Sequence, residues 1–302
     1  MEEDPKYVLE SLIKSLVTLN SAEFMRIIVR CALDLNQVHD VDNNNLLHEL
    51  AKSMTREPKI VEFIDLLISS VISNKLKERH SDNYQEILKD LLNSQTSNDQ
   101  YTPLHYAIMS NRKLICKKFI SLGADISLCT NRGQGVMHLA ASSGNVYLLT
   151  YFTKELGLDF NVRDSTGETP LHIASAEGQD TTAILLIAWS SDLNLGDSEG
   201  LTPLHMAAFS KNYRIIRHLL MSGSNISSRD STGKTPLDIA MSVQAPHDII
   251  KILKDTHWCS KLNPMNSPLQ PVKETYIHFI AFILLFIVRY GLIAVSVLPS
   301  NC

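Results

Sequence analysis

The tetrapeptide Thr-Pro-Leu-His stands at Thr102–His105, Thr169–His172 and Thr202–His205, with looser copies ending at His138 and Asp238. The last residues of the five copies are spaced 33, 34, 33 and 33 positions apart. A period this constant means that one supersecondary unit recurs, and units of this size bury a core only by stacking on their neighbours. Four copies have a glycine five residues before their last position, at Gly133, Gly167, Gly200 and Gly233. Glycine there supplies the left-handed backbone of a tight turn. Asp164, Asp197 and Asp230, three residues before the last three of these glycines, carry side chains that close such a turn. Thr is a good N-cap, and Pro at the first helical position gives up no needed N–H. The small apolar pairs Ala140–Ala141, Ile173–Ala174 and Ala207–Ala208 let this helix approach its neighbours closely. A second helix follows, as over Ala183–Trp189 and Ile215–Met221, with stops such as Leu122–Gly123 and Ser222–Gly223. Each unit reads as hairpin, helix, turn, helix.

The phrase Asp-Ser-x-Gly-x-Thr-Pro-Leu, at Asp164, Asp197 and Asp230, resembles the ankyrin repeat, and the resemblance extends over residues 97–257. It implies an all-α solenoid of about five units of 33 residues. Upstream the pattern weakens. Asn44–Ala51 is a degenerate copy, with Asn43 where the glycine belongs. His48 and His105 lie 57 residues apart, 24 more than one period, and the excess is expected around Asn74–Gln100, with one amphipathic segment near Tyr84–Leu92. Residues 7–35 read as two helices covering the end of the stack. Residues 1–96 are thus a helical N-terminal cap with one degenerate repeat and an insertion. Gln100 replaces the turn glycine of the next unit, so a distorted hairpin is expected there.

After Leu253 the composition changes. A proline-rich linker over 258–275 precedes Tyr276–Leu298, 23 residues with the single formal charge Arg289, and a short tail, 299–302. Fifteen of the 23 are Leu, Ile, Phe or Val, together worth about −4 to −9 kcal/mol of insertion energy against roughly +2.5 to +3.5 for the arginine. The expectation is a single transmembrane helix over 276–298. Lys251, Lys254, Lys261 and Lys273 precede it and no Lys or Arg follows, which places the repeat domain in the cytosol; the expected membrane is an endomembrane of the ER or Golgi. The acidic start, Met1–Pro5, has no apolar stretch and predicts no secretory signal. Arg289, near the middle of the span, calls for a partner helix or polar cavity.

The full chain of 302 residues carries a formal charge of −4, spread along its length, so no basic face for nucleic acid is expected. The five cysteines are an odd number without a Cys-x-x-Cys pair, which suits a reducing compartment. Cys259, beside the span, is a weak lipidation candidate. His48, His105, His138, His172 and His205 resemble a metal cluster only when written in a row. One per stacked unit, they stand about 8–10 Å apart, whereas zinc ligands lie roughly 2.0–2.3 Å from the metal. They are expected to hydrogen-bond between repeats. Arg132–Gly135 is a turn and not a phosphate loop, and the sequon Asn225–Ser227 is idle on the cytosolic side. No catalytic residue, metal ligand or cofactor site is expected.

What remains is binding surface. In the ankyrin family partners dock on the concave side, against hairpin tips and first helices. The matching positions are Arg132, Gln134, Ser165, Glu168, Glu199, Leu201, Thr232 and Lys234, with Tyr106 as an aromatic anchor. The resemblance thus implies an adaptor or scaffold that binds proteins or peptides. Thr102–Ala107, Met137–Ala141, Leu193–Asp197 and the entry into the apolar span from Asn263 also resemble the N-terminal part of ankyrin-repeat palmitoyltransferases of the DHHC type. That resemblance implies the substrate-recruiting arm of such an enzyme. The catalytic cysteine-rich domain and its Asp-His-His-Cys motif do not occur in these 302 residues, as in a longer polytopic protein cut short.

Overall fold

A computed structural model describes residues 5–18, 23, 26–27, 39–53, 56–77 and 84–255 of the chain. Within them lie α1 (Pro5–Val17), α2 (Leu46–Lys52), α3 (Glu57–Lys77), α4 (Tyr84–Asn93), α5 (Pro103–Met109), α6 (Lys113–Ser121) and α7 (Val136–Ser142). They continue with α8 (Val146–Lys154), α9 (Pro170–Ala176), α10 (Asp180–Ala188), α11 (Pro203–Phe209), α12 (Tyr213–Met221), α13 (Pro236–Ser242) and α14 (His247–Lys254). Among the described residues there is no strand, only an isolated bridge between His39 and Asn45. Residues 1–256 form one compact unit. The expected span over 276–298, the linker 258–275, the tail 299–302 and Cys259 lie outside the described residues. Among the described residues, no helix is long and apolar enough to cross a membrane.

The helices alternate between two layers. Seven-residue inner helices α2, α5, α7, α9, α11 and α13 pack each on the next, and the outer helices α6, α8, α10, α12 and α14 back them. The spacing of buried residues explains the pairing. In one unit Leu104, Ala107 and Ile108 meet Ile115, Cys116 and Phe119, all essentially without exposure, at the i, i+3, i+4 intervals that make one helical stripe. The next unit repeats the pattern with Leu139, Ala140, Leu148, Leu149 and Phe152. Small residues at Ala107, Ala140, Ala174 and Ala207 keep the inner helices close.

The caps follow the sequence pattern. Pro stands at the first turn of α5, α9, α11 and α13 behind an extended Thr. Gly133, Gly167, Gly200 and Gly233 hold φ of +72°, +81°, +76° and +81°. The Asp164 carboxylate accepts from the Thr166 and Glu168 N–H groups at 2.9 Å each, closing its turn. Successive turns then join. Asn131 N–H donates to Asp99 O, Ser165 to Arg132 O, Ser198 to Thr166 O and Ser231 to Glu199 O, at 2.7–3.0 Å. This backbone ladder ties each hairpin to the next. An alanine at Gly133 would put its Cβ 2.7 Å from Ser165 N, on the ladder itself. A left-handed non-glycine costs about 1–2 kcal/mol before that clash is counted. Gly133→Ala is therefore expected to lose ~2–3 kcal/mol, read as a lower urea midpoint at unchanged slope.

The upstream region is regular where it is described. Asn45 caps α2 through its side chain, and Asn43 takes the glycine position at φ +62°. Short Asn side chains tolerate that region better than most. The inserted residues extend the outer layer. α3 runs for 21 residues where α6 has nine, and α4, close to the expected amphipathic segment, packs on α3 and α5. At Gln100 the hairpin is wider and still closed. Thr96 N–H reaches Tyr101 O at 3.0 Å, one residue further along than the Thr130-to-Gln134 bond, and Gln100 itself holds φ +56°.

Candidate functional site

The repeat histidines come first, because they fix the face on which the hairpins stand. Thr102, Thr169 and Thr202 each donate a backbone N–H to Nδ1 of the histidine three residues on, at 3.0–3.2 Å. With Nδ1 accepting, the ring proton sits on Nε2 and donates to a carbonyl of the next unit. His48 reaches Tyr101 O, His138 Glu168 O, His172 Leu201 O and His205 Lys234 O, at 3.0–3.2 Å. His105 departs slightly, donating to Leu128 O at 3.1 Å. Burial pushes His48 and His105 down to about 4, and lowers His138, His172 and His205 as well. These imidazoles are neutral struts between repeats. Among the described residues no group of His, Cys, Asp and Glu could hold a metal ion.

On the hairpins, the expected tip residues separate into two sets. Ser165 gives its hydroxyl to Arg132 O, Thr232 gives its own to Asp230 at 2.7 Å, and Gln134 Nε2 donates to Asp164 at 3.4 Å. Leu201 is half-buried, with its carbonyl taken by Asp197 N–H and His172. Glu168 is also half-buried, and its carboxyl is held above the ordinary value by burial first and by Asp164 and Asp197 after it. Arg132, Glu199 and Lys234 are exposed, on backbone that the ladder and the Asp230 turn hold in place. A fixed backbone lowers the ordering cost of binding through such side chains.

Tyr106 is half-buried in the first junction. Its ring stands 5.8 Å from the His48 ring, edge-on, and 5.3 Å from Tyr101, with Lys52 Nζ 4.3 Å from its centroid. Lys52 is in turn held by Asn44 at 2.8 Å and Glu49 at 3.0 Å. Three repeats further on, Met206 occupies the position equivalent to Tyr106, and Phe209, one turn later in α11, is 61% exposed. Phe209 was absent from the sequence-based set. Its signal was available as the fourth residue after a repeat histidine.

Stacking sorts the charge that the sequence spreads along the chain. The outer helices α6, α8, α10, α12 and α14 carry eight Lys and Arg against two Asp. Lys113 and Lys117 lie over the Tyr147 ring at 5.0 and 5.2 Å, and Lys117 is 5.0 Å from Tyr151. The sequence signal was the run of basic residues in α6, one turn apart at Lys113 and Lys117. Only stacking brings it beside the aromatic residues of the next unit.

Stacked helix pairs, a hairpin ladder and histidine struts define a repeat solenoid. The family model for ankyrin repeats, three copies long, matches residues 111–197, 137–230 and 185–264, together half of the chain, which belongs to the ankyrin-repeat family. Among similar proteins, the nuclear factor NF-kappa-B p105 subunit of Gallus gallus is 27% identical over 171 residues, 56% of this chain and 16% of that protein. NF-kappa-B inhibitor delta of Mus musculus is 38% identical over 74 residues, 24% of this chain and 23% of that protein. Alpha-latrotoxin-Lg1a of Latrodectus geometricus is 34% identical over 111 residues, 36% of this chain and 7% of that protein. The matched region thus covers less than a quarter of the length of each of these relatives.

Proposed function

We propose that this chain is a membrane-tethered adaptor that binds other proteins through its hairpin and inner-helix face. The observation that carries the reading is the ladder-held row of exposed Arg132, Glu199 and Lys234, together with the exposed apolar Phe209 at the end of inner helix α11. The relative named as an NF-kappa-B inhibitor supports a role in protein binding. Tyr106 belongs to the same face as an aromatic wall, and Gln134, Ser165, Glu168, Leu201 and Thr232 shape the turns around it. The tether is the apolar segment 276–298, with the repeat domain on the cytosolic side of an endomembrane.

The test is affinity capture with the full chain and with a variant combining Arg132→Ala, Glu199→Ala, Lys234→Ala and Phe209→Ala. Partner recovery is expected to fall about tenfold or more, as for loss of an interface hot spot. The thermal midpoint should barely move, since the four side chains are exposed. An unchanged partner set would reject the face. For the tether, deletion of 276–298 is expected to release the chain from carbonate-washed membranes.

Arg289 favours a second reading, in which the chain is the recruiting arm of an ankyrin-repeat palmitoyltransferase and the arginine meets another membrane helix. Detergent co-purification tests it, with Arg289→Leu expected to lose the partner helix.

A further inference from the structure

The outer-helix face is the least explained surface of the protein. Over α6, α8, α10, α12 and α14, eight Lys and Arg against two Asp make it basic in a chain whose formal charge is −4, while α3 at the N-terminal end of the same layer brings Glu57, Glu62 and Asp65. Lys118 pairs with Asp65 and Arg214 with Asp180, while Lys113 and Lys117 sit over aromatic rings and Arg217, Lys251 and Lys254 are exposed.

Between the basic helices lies a second oddity. α10 is apolar on both sides. Ala183, Leu186 and Ile187 are buried, yet the outward row Thr181, Ile184, Leu185 and Ala188 carries no charge either. A surface helix ordinarily turns polar residues outward. α10 packs against α8 and α12, so this uncharged strip runs between the Lys117–Tyr147–Tyr151 cluster and Arg214 with Arg217. Leu114 is 49% exposed, Tyr213 42% and Tyr147 41% on the same helices.

We propose that this face docks on an anionic lipid bilayer, its Lys and Arg side chains on the phosphate headgroups and the outward side of α10 among them. Basic residues with Tyr and Leu around an apolar strip are the composition of an interfacial surface. Nucleic acid would use the charges but leave the α10 strip without a role. Continuity points the same way: Lys251 and Lys254 of α14 lead along the chain to the apolar segment 276–298. The inference rests on the tether reading in that one respect. It goes beyond it by assigning a second membrane contact, which turns the hairpin face away from the bilayer toward partners.

The test uses the full chain with vesicles of phosphatidylcholine alone and of phosphatidylcholine with phosphatidylserine. Flotation on the neutral vesicles reports the tether. Acetylation of Lys113 and Lys117, read by peptide mass spectrometry, reports docking. Each basic residue near an anionic surface strengthens binding about fivefold. On the serine-containing vesicles the two lysines are therefore expected to be labelled roughly tenfold more slowly than on neutral ones. The protection should vanish in about 0.5 M NaCl, where the Debye length is roughly 4 Å. Arg217→Glu with Lys251→Glu, both exposed in the folded chain, should abolish the protection of the distant lysines while leaving the thermal midpoint unchanged. Equal labelling on both vesicles would overturn the proposal. So would equal protection on neutral vesicles, which indicates a second copy or another protein on this face, or protection conferred by duplex DNA alone. If the chain fails to float on neutral vesicles but floats on anionic ones in a salt-sensitive manner, the tether reading falls and the docking face stands.

Discussion

Lowering the pH from 7.5 to 5 is expected to remove about 4 kcal/mol of stability from the repeat domain. The folded protein holds His48 and His105 near a value of 4, chiefly through burial, against about 6.5 in the unfolded chain. Their folded values lie below their unfolded values, so the unfolded state binds protons first as the pH falls. Stability is complete above pH ~6.5 and declines progressively toward pH ~4, by about 2 kcal/mol per histidine at pH 5. His138, His172 and His205 are lowered for the same reason and add to the loss. Glu168, held above its ordinary value, works in the opposite direction and only around the carboxylate range. Urea melts across this interval check the sign and the window. A midpoint that stays constant from pH 7.5 to 5 would show that the histidines are not neutral struts.

Phe152→Ala is expected to cost ~3–5 kcal/mol, the usual loss for a large aromatic in a core that cannot collapse. Phe152 is fully buried in α8, in the middle of the stack. A cavity there weakens the packing between units as well as within one, and in a repeat array those interfaces supply much of the stability. Loss of two-state behaviour, with the N- and C-terminal units melting apart, is the accompanying sign. Phe209→Ala is the control. With 61% of its surface exposed, it should stay within about 0.5 kcal/mol of the parent. Equal losses for the two would mean that Phe209 is packed rather than available to a partner.

Much of this architecture was legible before any coordinates. The residues that carry it act within a few positions of themselves. Thr102 and Thr235 cap the helices that Pro begins, Thr169 and Thr202 stand at the same position with their hydroxyls against the histidine Nδ1, and glycine takes the turn that Asp closes. The N-terminal region was harder to read because its signals are weaker substitutes. Asn43 and Gln100 adopt left-handed backbone that glycine would have announced. The extension of α3 had no punctuating residue to mark where a standard outer helix would have stopped.

The binding face was only half visible. Tip residues could be aligned by counting from each histidine, but counting does not say which of them spend their polar groups inside the turns. Ser165 and Thr232 do, whereas Arg132 and Glu199 present exposed side chains. Tyr106 looked like a free anchor until His48, Lys52 and Tyr101 closed around it, two of them from a unit more than fifty residues away in sequence.

The sequence by itself determined the unit, its period and the identity of its caps and turns, because these depend on backbone preferences and bonds between near neighbours. It also determined that histidines recur once per unit. Only the tertiary structure decided where those histidines send their second bond and which tips stay exposed. It likewise decided that a charge evenly distributed along the chain becomes one basic face. The reason is the period itself. Stacking superimposes positions about 33 residues apart, so one short segment of each unit, the outer helix, is laid beside its counterparts while the acidic turns collect elsewhere. A linear reading averages over that sorting; three-dimensional packing performs it.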